Sequence, residues 1–498
     1  MYFKHILTGI IFVSAFAKAY SQKVSVPIDT TIVSSHSITI KGKTIPYTAI
    51  AGFQPVWDDK GMPVASLLYT YYKRSDIKND ETRPLVISFN GGPGSASVWM
   101  HIAYTGPRIL KIDDEGFPVQ PYGIKSNPNS ILDVADIVFV NPVNTGYSRM
   151  LPNEKGEMPD SKQFFGVNAD IKYLADWVNT FVTRNNRWRS PKFLIGESYG
   201  TTRVSGLAAE LQDSKWMFIN GVVLVSPTEI GFDFDGPVEV ANRLPYFTAA
   251  AWYHNMLPPA LQQKDLTEVL AESENYAVNE LLPLLVKSGY LETDKKEAAI
   301  KKMAYYSGLS ETTIRQNNLE VPFNYFWKDL LRNRDGLTIG RLDSRYKGLD
   351  VKEAGDGPDY NSELTSWLHS FTPAINYYYS QELGLKTDLS YNMFGPVRPW
   401  DRSNNNAGAS LRKAMGVNPN LNVMIQSGYY DGATTYFNAK YVMWQLNASG
   451  KLSDRLSFKG YRSGHMMYLR NEDLINANDD LRDFIKKSSV GIEKGAKH

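Results

Sequence analysis

The 498-residue sequence has no cysteine and only seven histidines. The absence of cysteine excludes disulfide bonds, thiolate nucleophiles and thiolate metal sites. The histidines are scattered, with no pair at the spacing of metal ligands and no HExxH motif, so we expect no zinc site. A formal net charge of +2 gives no basic footprint, so nucleic acid is not an expected partner.

Long apolar runs are scarce apart from one near the N-terminus. Lys4 and His5 precede the apolar stretch ILTGIIFVSAFA, and Ala17-Lys18-Ala19 fits the A-x-A pattern of a cleavage site. The stretch is too short to span a bilayer, which favours a signal peptide over residues 1–21 rather than a buried N-terminal helix. No later segment has the length and hydropathy of a membrane helix, so we expect an exported protein, either periplasmic or secreted.

The remaining pattern predicts an α/β fold. Alternating residues from about Val24 to Arg74 indicate antiparallel strands, and short continuous apolar runs of the kind buried in a parallel sheet follow them. The predicted later strands are Pro84–Asn90, Ala135–Asn141, Lys192–Ser198, Asn220–Ser226, Asn422–Gly428 and Arg455–Tyr461. Helical periodicity covers Phe164 to Val182 and roughly Glu472 to Lys487, the second after a potential N-cap at Asn471.

A long insertion, from about residue 230 to 420, separates the fourth and fifth of these later strands. It is mostly helix-like and aromatic, and we expect most of its aromatic residues to form a separate small core, with a minority lining a cleft. Insertions of this kind lie at the carboxyl ends of parallel strands, where ligands bind. The predicted organisation is a signal peptide (1–21), a first core segment (22–235), a mostly helical cap (236–394), a second core segment (395–488) and a flexible tail (489–498).

The stretch LIGESYG, Leu194–Gly200, places a G-x-S-x-G sequence at the end of a predicted strand and before helical sequence. This combination is typical of a nucleophile elbow, in which the flanking glycines allow a sharp turn that projects the serine hydroxyl from the sheet edge. The motif alone occurs by chance in many proteins, but its strand-to-helix context favours catalysis. Ser198 is therefore the predicted nucleophile.

A serine nucleophile needs a histidine base that is oriented by a carboxylate, in the chain order Ser, Asp, His for this architecture. His465, in RSGHMMYL, follows the last predicted strand, whereas the other histidines after the serine lie in the insertion or the tail. Asp431 is the only carboxylate of the preceding strand's loop, SGYYDGATT. The alternatives are a capped loop histidine and an Asp-Gly turn residue.

The developing oxyanion needs two backbone donors. The Tyr199 amide directly follows the nucleophile, and the glycine loop FNGGPGSAS, Phe89–Ser97, supplies Gly92 as the second predicted donor. The alternatives for this loop are a tight turn and a phosphate cradle. The Gly-Lys-Ser/Thr sequence of a phosphate loop is absent.

Together these segments resemble the serine carboxypeptidase family. NGGPGSAS is similar to its N-G-G-P-G-C-S-S, GESYG to its G-E-S-Y-A/G, NPVNTGYS to its D-Q-P-x-G-T-G-F-S, GYYD to its G-D-x-D and GHMMY to its G-H-M-V-P. The motifs run in the family's order from Asn90 to His465. The resemblance implies an α/β-hydrolase core with a cap inserted before the aspartate strand, and removal of single residues from peptide C-termini.

The resemblance also gives Glu197, which directly precedes the nucleophile, a role in substrate binding. If Glu197 is protonated, it and the Asn90 side chain can both donate hydrogen bonds to the terminal carboxylate of a peptide. Glu197 would then need a raised pKa, and peptide hydrolysis would favour acidic pH. The alternative is a buried structural carboxyl beneath the elbow.

Four features depart from the family's pattern. Ser95 replaces the cysteine of the glycine loop, Asn144 replaces a glycine, Val140 replaces an acid, and GHMMYLRNEDL lacks the proline after the histidine. None of them affects the three predicted catalytic positions. They do alter the surroundings of the leaving-residue pocket, so side-chain specificity cannot be carried over from the family.

The sequence therefore predicts an exported serine carboxypeptidase that acts on peptides with a free C-terminus and needs neither metal nor organic cofactor. The sequence does not indicate an oligomeric state. One alternative is an esterase or acyltransferase that uses the same catalytic residues. Two others are a non-catalytic peptide-binding protein and an aminopeptidase of the same fold.

Overall fold

The computed structural model describes residues 25–489. The predicted signal peptide, and residues 490–498 of the predicted tail, lie outside the described residues. The strands are β1 (Thr30–Ile40), β2 (Lys43–Trp57), β3 (Pro63–Arg74), β4 (Leu85–Phe89), β5 (Arg108–Leu110), β6 (Ile124–Ser126), β7 (Asp136–Val140), β8 (Arg149–Met150), β9 (Lys192–Glu197), β10 (Gly221–Val225), β11 (Thr338–Ile339), β12 (Lys347–Gly348), β13 (Asn422–Gly428) and β14 (Leu456–Tyr461).

The helices are mostly short in the inserted region and longer around the sheet. They are α1 (Val98–His101), α2 (Val167–Arg184), α3 (Tyr199–Lys215), α4 (Pro237–Tyr253), α5 (Pro259–Gln262), α6 (Leu266–Tyr276), α7 (Leu282–Lys287), α8 (Thr293–Ser307), α9 (Glu311–Gln316), α10 (Phe323–Asp329), α11 (Arg332–Asp335), α12 (Ser362–Tyr377), α13 (Ala407–Val417), α14 (Tyr436–Leu446) and α15 (Asn471–Ser489). Among residues 25–489, no helix has both the length and the hydropathy needed to cross a bilayer.

A single large sheet organises the molecule, with strand order β1-β2-β3-β7-β4-β9-β10-β13-β14 and β8 paired beside β3. Strands β1, β2 and β3 pair antiparallel, and β3 also pairs antiparallel with β7. From β7 onward every neighbouring pair is parallel. The mostly parallel sheet with an antiparallel N-terminal part confirms the α/β class expected from the switch between alternating and continuous apolar runs.

Apolar layers cover both faces of the sheet. Helices α2, α3, α13 and α14 supply the buried apolar residues on one face, and α1, α12 and α15 supply those on the other. Because both faces are covered, the central strands are completely buried: every residue of β4, β7 and β10 is inaccessible to solvent. Full burial explains why these strands show continuous apolar runs rather than alternation.

The insertion forms a core of its own. Residues from α4 to β11 pack their apolar side chains into a separate cluster that includes Tyr246, Phe247, Phe326 and Trp327. Helix α12, which the sequence places in the same predicted cap, instead packs on the main sheet through residues such as Phe371. The inserted stretch therefore divides between two cores, and the domain boundaries stay a prediction.

Helix α2 begins at Val167, three residues later than its apolar periodicity predicts. A short 3₁₀ turn at Ser161–Gln163 precedes it, and the extended Gly166 separates the turn from the helix. Helix α15 begins at Asn471, within one residue of the predicted start. The apolar pattern thus identified both helices but not the irregular turn before the first of them.

A buried ion network lies at the amino ends of the parallel strands, opposite the predicted site. Asp136 is inaccessible to solvent and accepts hydrogen bonds from Arg83 Nε at 2.9 Å and from Arg187 Nη1 at 2.7 Å. The Arg187 guanidinium is itself only 1% exposed. Removing one partner of such a group leaves an uncompensated buried charge.

Replacing Asp136 tests how much this ion network contributes to the free energy of unfolding. We expect Asp136→Ala to lower the free energy of unfolding by about 3–5 kcal/mol, because Arg187 would lose its buried counter-charge. Urea unfolding at pH 7 measures the difference. As a control, Asp213→Ala breaks an exposed pair with Lys413 and should cost less than about 1 kcal/mol. Equal losses in the two variants would contradict the assignment.

Candidate active site

Ser198 lies in the turn between β9 and α3, in a backbone conformation that side chains rarely adopt. Its φ is 57° and its ψ is −128°, a region that costs a non-glycine residue about 1–3 kcal/mol. A Cβ on Gly196 would lie only 2.1 Å from the carbonyl oxygen of Gly200, and a Cβ on Gly200 would lie 2.9 Å from the carbonyl oxygen of Phe89, so close packing favours glycine at both positions. The Ser198 amide donates to the carbonyl of Val225 at 3.0 Å, which ties the turn to β10.

The glycine loop after β4 packs directly against this turn. A Cβ on Gly91 would lie 2.6 Å from the Tyr199 amide nitrogen and 2.9 Å from Ser198 Cβ, so only glycine fits there. Gly92 has a φ of 103°, which also favours glycine. The backbone of the loop thus lies beside the amide that follows Ser198. Two bare backbone segments meeting at a serine are the components of an oxyanion site.

Asp431 and His465 come from the loops after β13 and β14, which are neighbours in the sheet. His465 Nδ1 lies 2.7 Å from Asp431 Oδ2. The other oxygen, Asp431 Oδ1, accepts hydrogen bonds from the backbone amides of Ala433 at 2.8 Å and Thr434 at 3.1 Å. Burial opposes a charge on His465, but the adjacent Asp431 carboxylate outweighs it and raises the pKa of the imidazole.

A loop of the insertion fixes both of these catalytic-site loops. The carbonyl of Leu342 accepts a hydrogen bond from the His465 amide at 2.7 Å, and the carbonyl of Arg341 accepts one from the Gly432 amide at 2.9 Å. Glu363, at the start of α12, accepts a hydrogen bond from the Leu342 amide at 2.8 Å. The insertion is therefore bonded to the two loops that carry the imidazole and its carboxylate.

Glu197 lies at the end of β9 and is only 4% exposed. Its Oε1 accepts a hydrogen bond from Asn90 Nδ2 at 2.9 Å, and its Oε2 accepts one from the Tyr468 hydroxyl. Burial raises the pKa of Glu197 from 4.5 to about 7, although the nearby His465 and both hydrogen bonds oppose the rise. The carboxyl is therefore neutral in mildly acidic solution and ionises near neutrality.

Ser198, His465, Glu197 and Gly92 line one cavity of about 220 Å³. Its walls are largely apolar and come from α1, the insertion, the segment before α13 and the loop after β14: Trp99, Leu342, Leu364, Trp367, Phe394 and Met466. A second cavity, of about 870 Å³, shares Arg341 and Asn361 with the first and extends between the insertion and the core. The site therefore has a small chamber at the serine and a larger space adjoining it.

Asn90 is completely buried behind Glu197. Its Oδ1 accepts a hydrogen bond from the Met100 amide at 3.1 Å, which fixes the amide group so that Nδ2 faces Glu197. The cavity lining includes Glu197 but not Asn90. Asn90 is thus placed to hold Glu197, and its direct contact with a substrate stays a prediction.

Two departures from the family pattern have local explanations. Asn144 has a φ of 64°, and asparagine is the non-glycine residue that best tolerates this left-handed conformation. Ser95 accepts a hydrogen bond from Trp99 Nε1 at 2.7 Å, which holds the indole in the cavity wall. Both substitutions therefore keep the loops around the site in place.

Sequence reasoning missed three contributors to the site. Arg203, in α3, pairs with the buried Asp170 at 2.7 Å and also donates to the Asn90 carbonyl, which joins the elbow helix to the glycine loop. Leu342 acts through its backbone, which leaves no trace in the sequence. Tyr468 is three residues after His465, but only the three-dimensional structure places its hydroxyl on Glu197.

Comparisons with known proteins identify the family to which this chain is similar. Residues 42–459 match the family described as serine carboxypeptidase. Serine carboxypeptidase-like 19 of Arabidopsis thaliana is 28% identical over 36% of this chain and 37% of its own length. The carboxypeptidase Y homolog of Arthroderma benhamiae is 25% identical over 39% of this chain and 35% of its own length. The matched region is therefore less than half of each of these relatives.

A solved structure extends the likeness of the fold over most of the chain. Kex1(delta)p, a prohormone-processing carboxypeptidase from Saccharomyces cerevisiae, covers 91% of this chain and 93% of its own, with 14% identity and a TM-score of 0.51. At this identity the likeness concerns the fold alone. It supports the predicted α/β-hydrolase fold.

The raised pKa of Glu197 predicts a pH-dependent difference in stability. In the unfolded chain the carboxyl ionises freely near pH 4.5, whereas in the folded protein it ionises only near 7. The wild type should therefore lose stability relative to Glu197→Gln as the pH rises from about 4.5 to 7, reaching a difference of roughly 3 kcal/mol.

Urea unfolding of both proteins at pH 4.5, 6 and 8 measures this difference. The control Glu320→Gln changes an exposed carboxyl and should give a nearly constant offset. A gap between wild type and Glu197→Gln that stays constant with pH would show that Glu197 is not held neutral by the fold.

Proposed function

This chain belongs to the serine carboxypeptidase family, and from that premise we propose that it hydrolyses the last peptide bond of peptides with a free C-terminus. The observation that carries the proposal is the Glu197 carboxyl, which lines the same small cavity as Ser198 and His465. Because its pKa is raised to about 7, this carboxyl is protonated in mild acid. An endopeptidase or simple esterase has no use for such a group, because its substrates present no terminal carboxylate at this position.

In the proposed reaction, Ser198 Oγ attacks the terminal peptide carbonyl while His465 takes its proton. Asp431 orients the imidazole through Nδ1 and stabilises the imidazolium that forms. The amides of Gly92 and Tyr199 donate to the oxyanion. His465 then protonates the leaving amino acid, and water hydrolyses the acyl-enzyme by the same proton transfers in reverse order. None of these steps uses a metal or organic cofactor.

Recognition of the terminal carboxylate is assigned to Glu197, with Asn90 holding it in place. A protonated carboxyl can donate its hydrogen to a carboxylate, whereas two ionised carboxylates repel one another. Affinity for free-acid peptides is therefore full below the Glu197 pKa of about 7 and declines above it. The preference for acidic pH then belongs to substrate binding.

The larger adjoining cavity is the proposed path of the upstream peptide. Its lining includes Gly432 and Ala433, which directly follow the proposed catalytic Asp431, and it meets the small chamber at Arg341 and Asn361. A peptide whose C-terminus is held at Glu197 needs an adjoining space of this kind for its upstream residues. We also propose that the mature chain is exported, because residues 1–21 have the pattern of a signal peptide.

Matched peptides that end in a free acid or in an amide test the proposed function. We expect C-terminal ladders from the free-acid peptide, detected by mass spectrometry, with kcat/KM falling about tenfold per pH unit above about 7 as Glu197 ionises. The amide should be a much poorer substrate at pH 5, and its rate should lack this decline.

Two variants control for background and for the assigned roles. Ser198→Ala should reduce kcat by at least about a thousandfold, since it removes the nucleophile. Glu197→Gln should flatten the decline above pH 7, because an amide does not ionise. Equal rates on the acid and the amide at every pH would contradict the carboxypeptidase assignment and favour an esterase or acyltransferase.

A further inference from the structure

The hydroxyl of Tyr468 contacts the carboxyl that the proposed function uses, yet the sequence pattern assigns it no role. We propose that Tyr468 is a positioning residue that, together with Asn90, orients the Glu197 carboxyl so that its proton faces the substrate cavity. The expected effect of Tyr468 on substrate binding rests on the proposed function. Its expected effect on the ionisation of Glu197 rests on the hydrogen bonds alone.

Tyr468 is rigidly placed. It is only 1% exposed, lies in the short 3₁₀ turn Met467–Leu469, and stacks on Tyr104 with ring centroids 4.8 Å apart and planes 8° apart. Its hydroxyl donates to Glu197 Oε2 and also contacts the Asn90 side chain. These contacts and the stacked ring hold the hydroxyl at the carboxyl. Tyr468 also occupies one of the two positions at which GHMMY differs from G-H-M-V-P, where the motif has proline.

The two donors restrict where a proton on Glu197 can point. Asn90 Nδ2 carries only hydrogens, so it cannot accept a proton from Oε1. The Tyr468 oxygen could accept the carboxyl hydrogen only by turning its own hydrogen away from Oε2, which is the acceptor that this hydroxyl has in the structure. Of these three residues, only Glu197 lines the cavity, so the carboxyl hydrogen is left to the lone-pair positions that neither donor occupies. A peptide carboxylate in the cavity would accept the hydrogen from one of these positions.

The same contacts help to set the ionisation of Glu197. Burial raises its pKa, while His465, the Tyr468 hydroxyl and the Asn90 amide favour the ionised form, and Asp431 opposes it. Tyr104, stacked behind Tyr468, also interacts with this carboxyl. Because a donor to Oε2 favours the carboxylate, removing the Tyr468 hydroxyl should raise the midpoint of Glu197 ionisation.

The decisive variant is Tyr468→Phe, which keeps the stacked ring and removes one hydroxyl. Its matched control is Tyr104→Phe, which removes the neighbouring hydroxyl that donates to Gln426 rather than to Glu197. The Glu197 midpoint is read directly from the carboxyl carbon resonance of protein labelled with ¹³C at glutamate Cδ, assigned by its loss in Glu197→Gln. We expect Tyr468→Phe to raise the midpoint by about one pH unit, and Tyr104→Phe to leave it within a few tenths.

Kinetics give the second readout. At pH 5, where Glu197 is protonated in all variants, Tyr468→Phe should raise KM for the free-acid peptide about threefold to tenfold with little change in kcat, because only the orientation of the donor is lost. Tyr104→Phe should leave KM unchanged. Site-specific 3-fluorotyrosine at position 468, a stronger donor on the same scaffold, should shift the midpoint downward, which keeps the test available if Tyr468→Phe folds poorly.

The outcomes separate this inference from the proposed function. Midpoints that coincide in wild type, Tyr468→Phe and the fluorinated protein would overturn the positioning role. A shifted midpoint in an enzyme that treats free-acid and amide peptides alike would support the contact with Glu197 but refute the carboxypeptidase proposal, and with it the consequence for KM. A shifted midpoint together with the KM effect supports both.

Discussion

The arrangement depends on one buried carboxyl, Glu197, placed beside a reactive serine at the end of a central strand. Removing a carboxyl from water disfavours its ionised form, and the hydrogen bonds from Asn90 and Tyr468 only partly compensate. The group therefore remains a donor in mild acid. A donor of this kind can hold an anion without a permanent positive charge, which distinguishes it from the arginine usually used for carboxylates.

The parallel sheet brings the other components to the same place. The glycine loop follows β4, the elbow follows β9, and the loops with Asp431 and His465 follow β13 and β14. Because carboxyl ends of parallel strands share one edge, residues far apart in sequence meet there. The inserted segment then contributes backbone acceptors at Arg341 and Leu342 to both loops, so the cap is part of the site's framework and also forms its roof.

Much of this could be predicted from the sequence, for identifiable physical reasons. Full burial on both faces gives continuous apolar runs, so the central strands were located within one or two residues. The glycines beside Ser198 are dictated by close backbone contact, so they mark the elbow. The family resemblance, rather than periodicity, directed attention to Glu197. Backbone contacts such as that of Leu342 could not be predicted, since a carbonyl acceptor requires no particular side chain.

Tyr468 shows a further limit of sequence reasoning. Its position was visible as a departure from a motif, but a tyrosine hydroxyl reaches several ångströms from its backbone, and its partner depends on the stacking against Tyr104. Arg203 is similar, because it pairs with the buried Asp170 and joins the elbow helix α3 to the glycine loop through the Asn90 carbonyl. Side chains that act across the core are found by structure and not by spacing.

The most direct test of the central claim is a count of protons taken up when a free-acid peptide binds. Calorimetric titration of the Ser198→Ala protein in buffers of different ionisation enthalpy gives this number at each pH. If Glu197 must be protonated to hold the terminal carboxylate, uptake should approach one proton per peptide at about pH 8.5 and fall towards zero near pH 5, given its pKa of about 7. Tight binding without proton uptake at the higher pH would contradict the account.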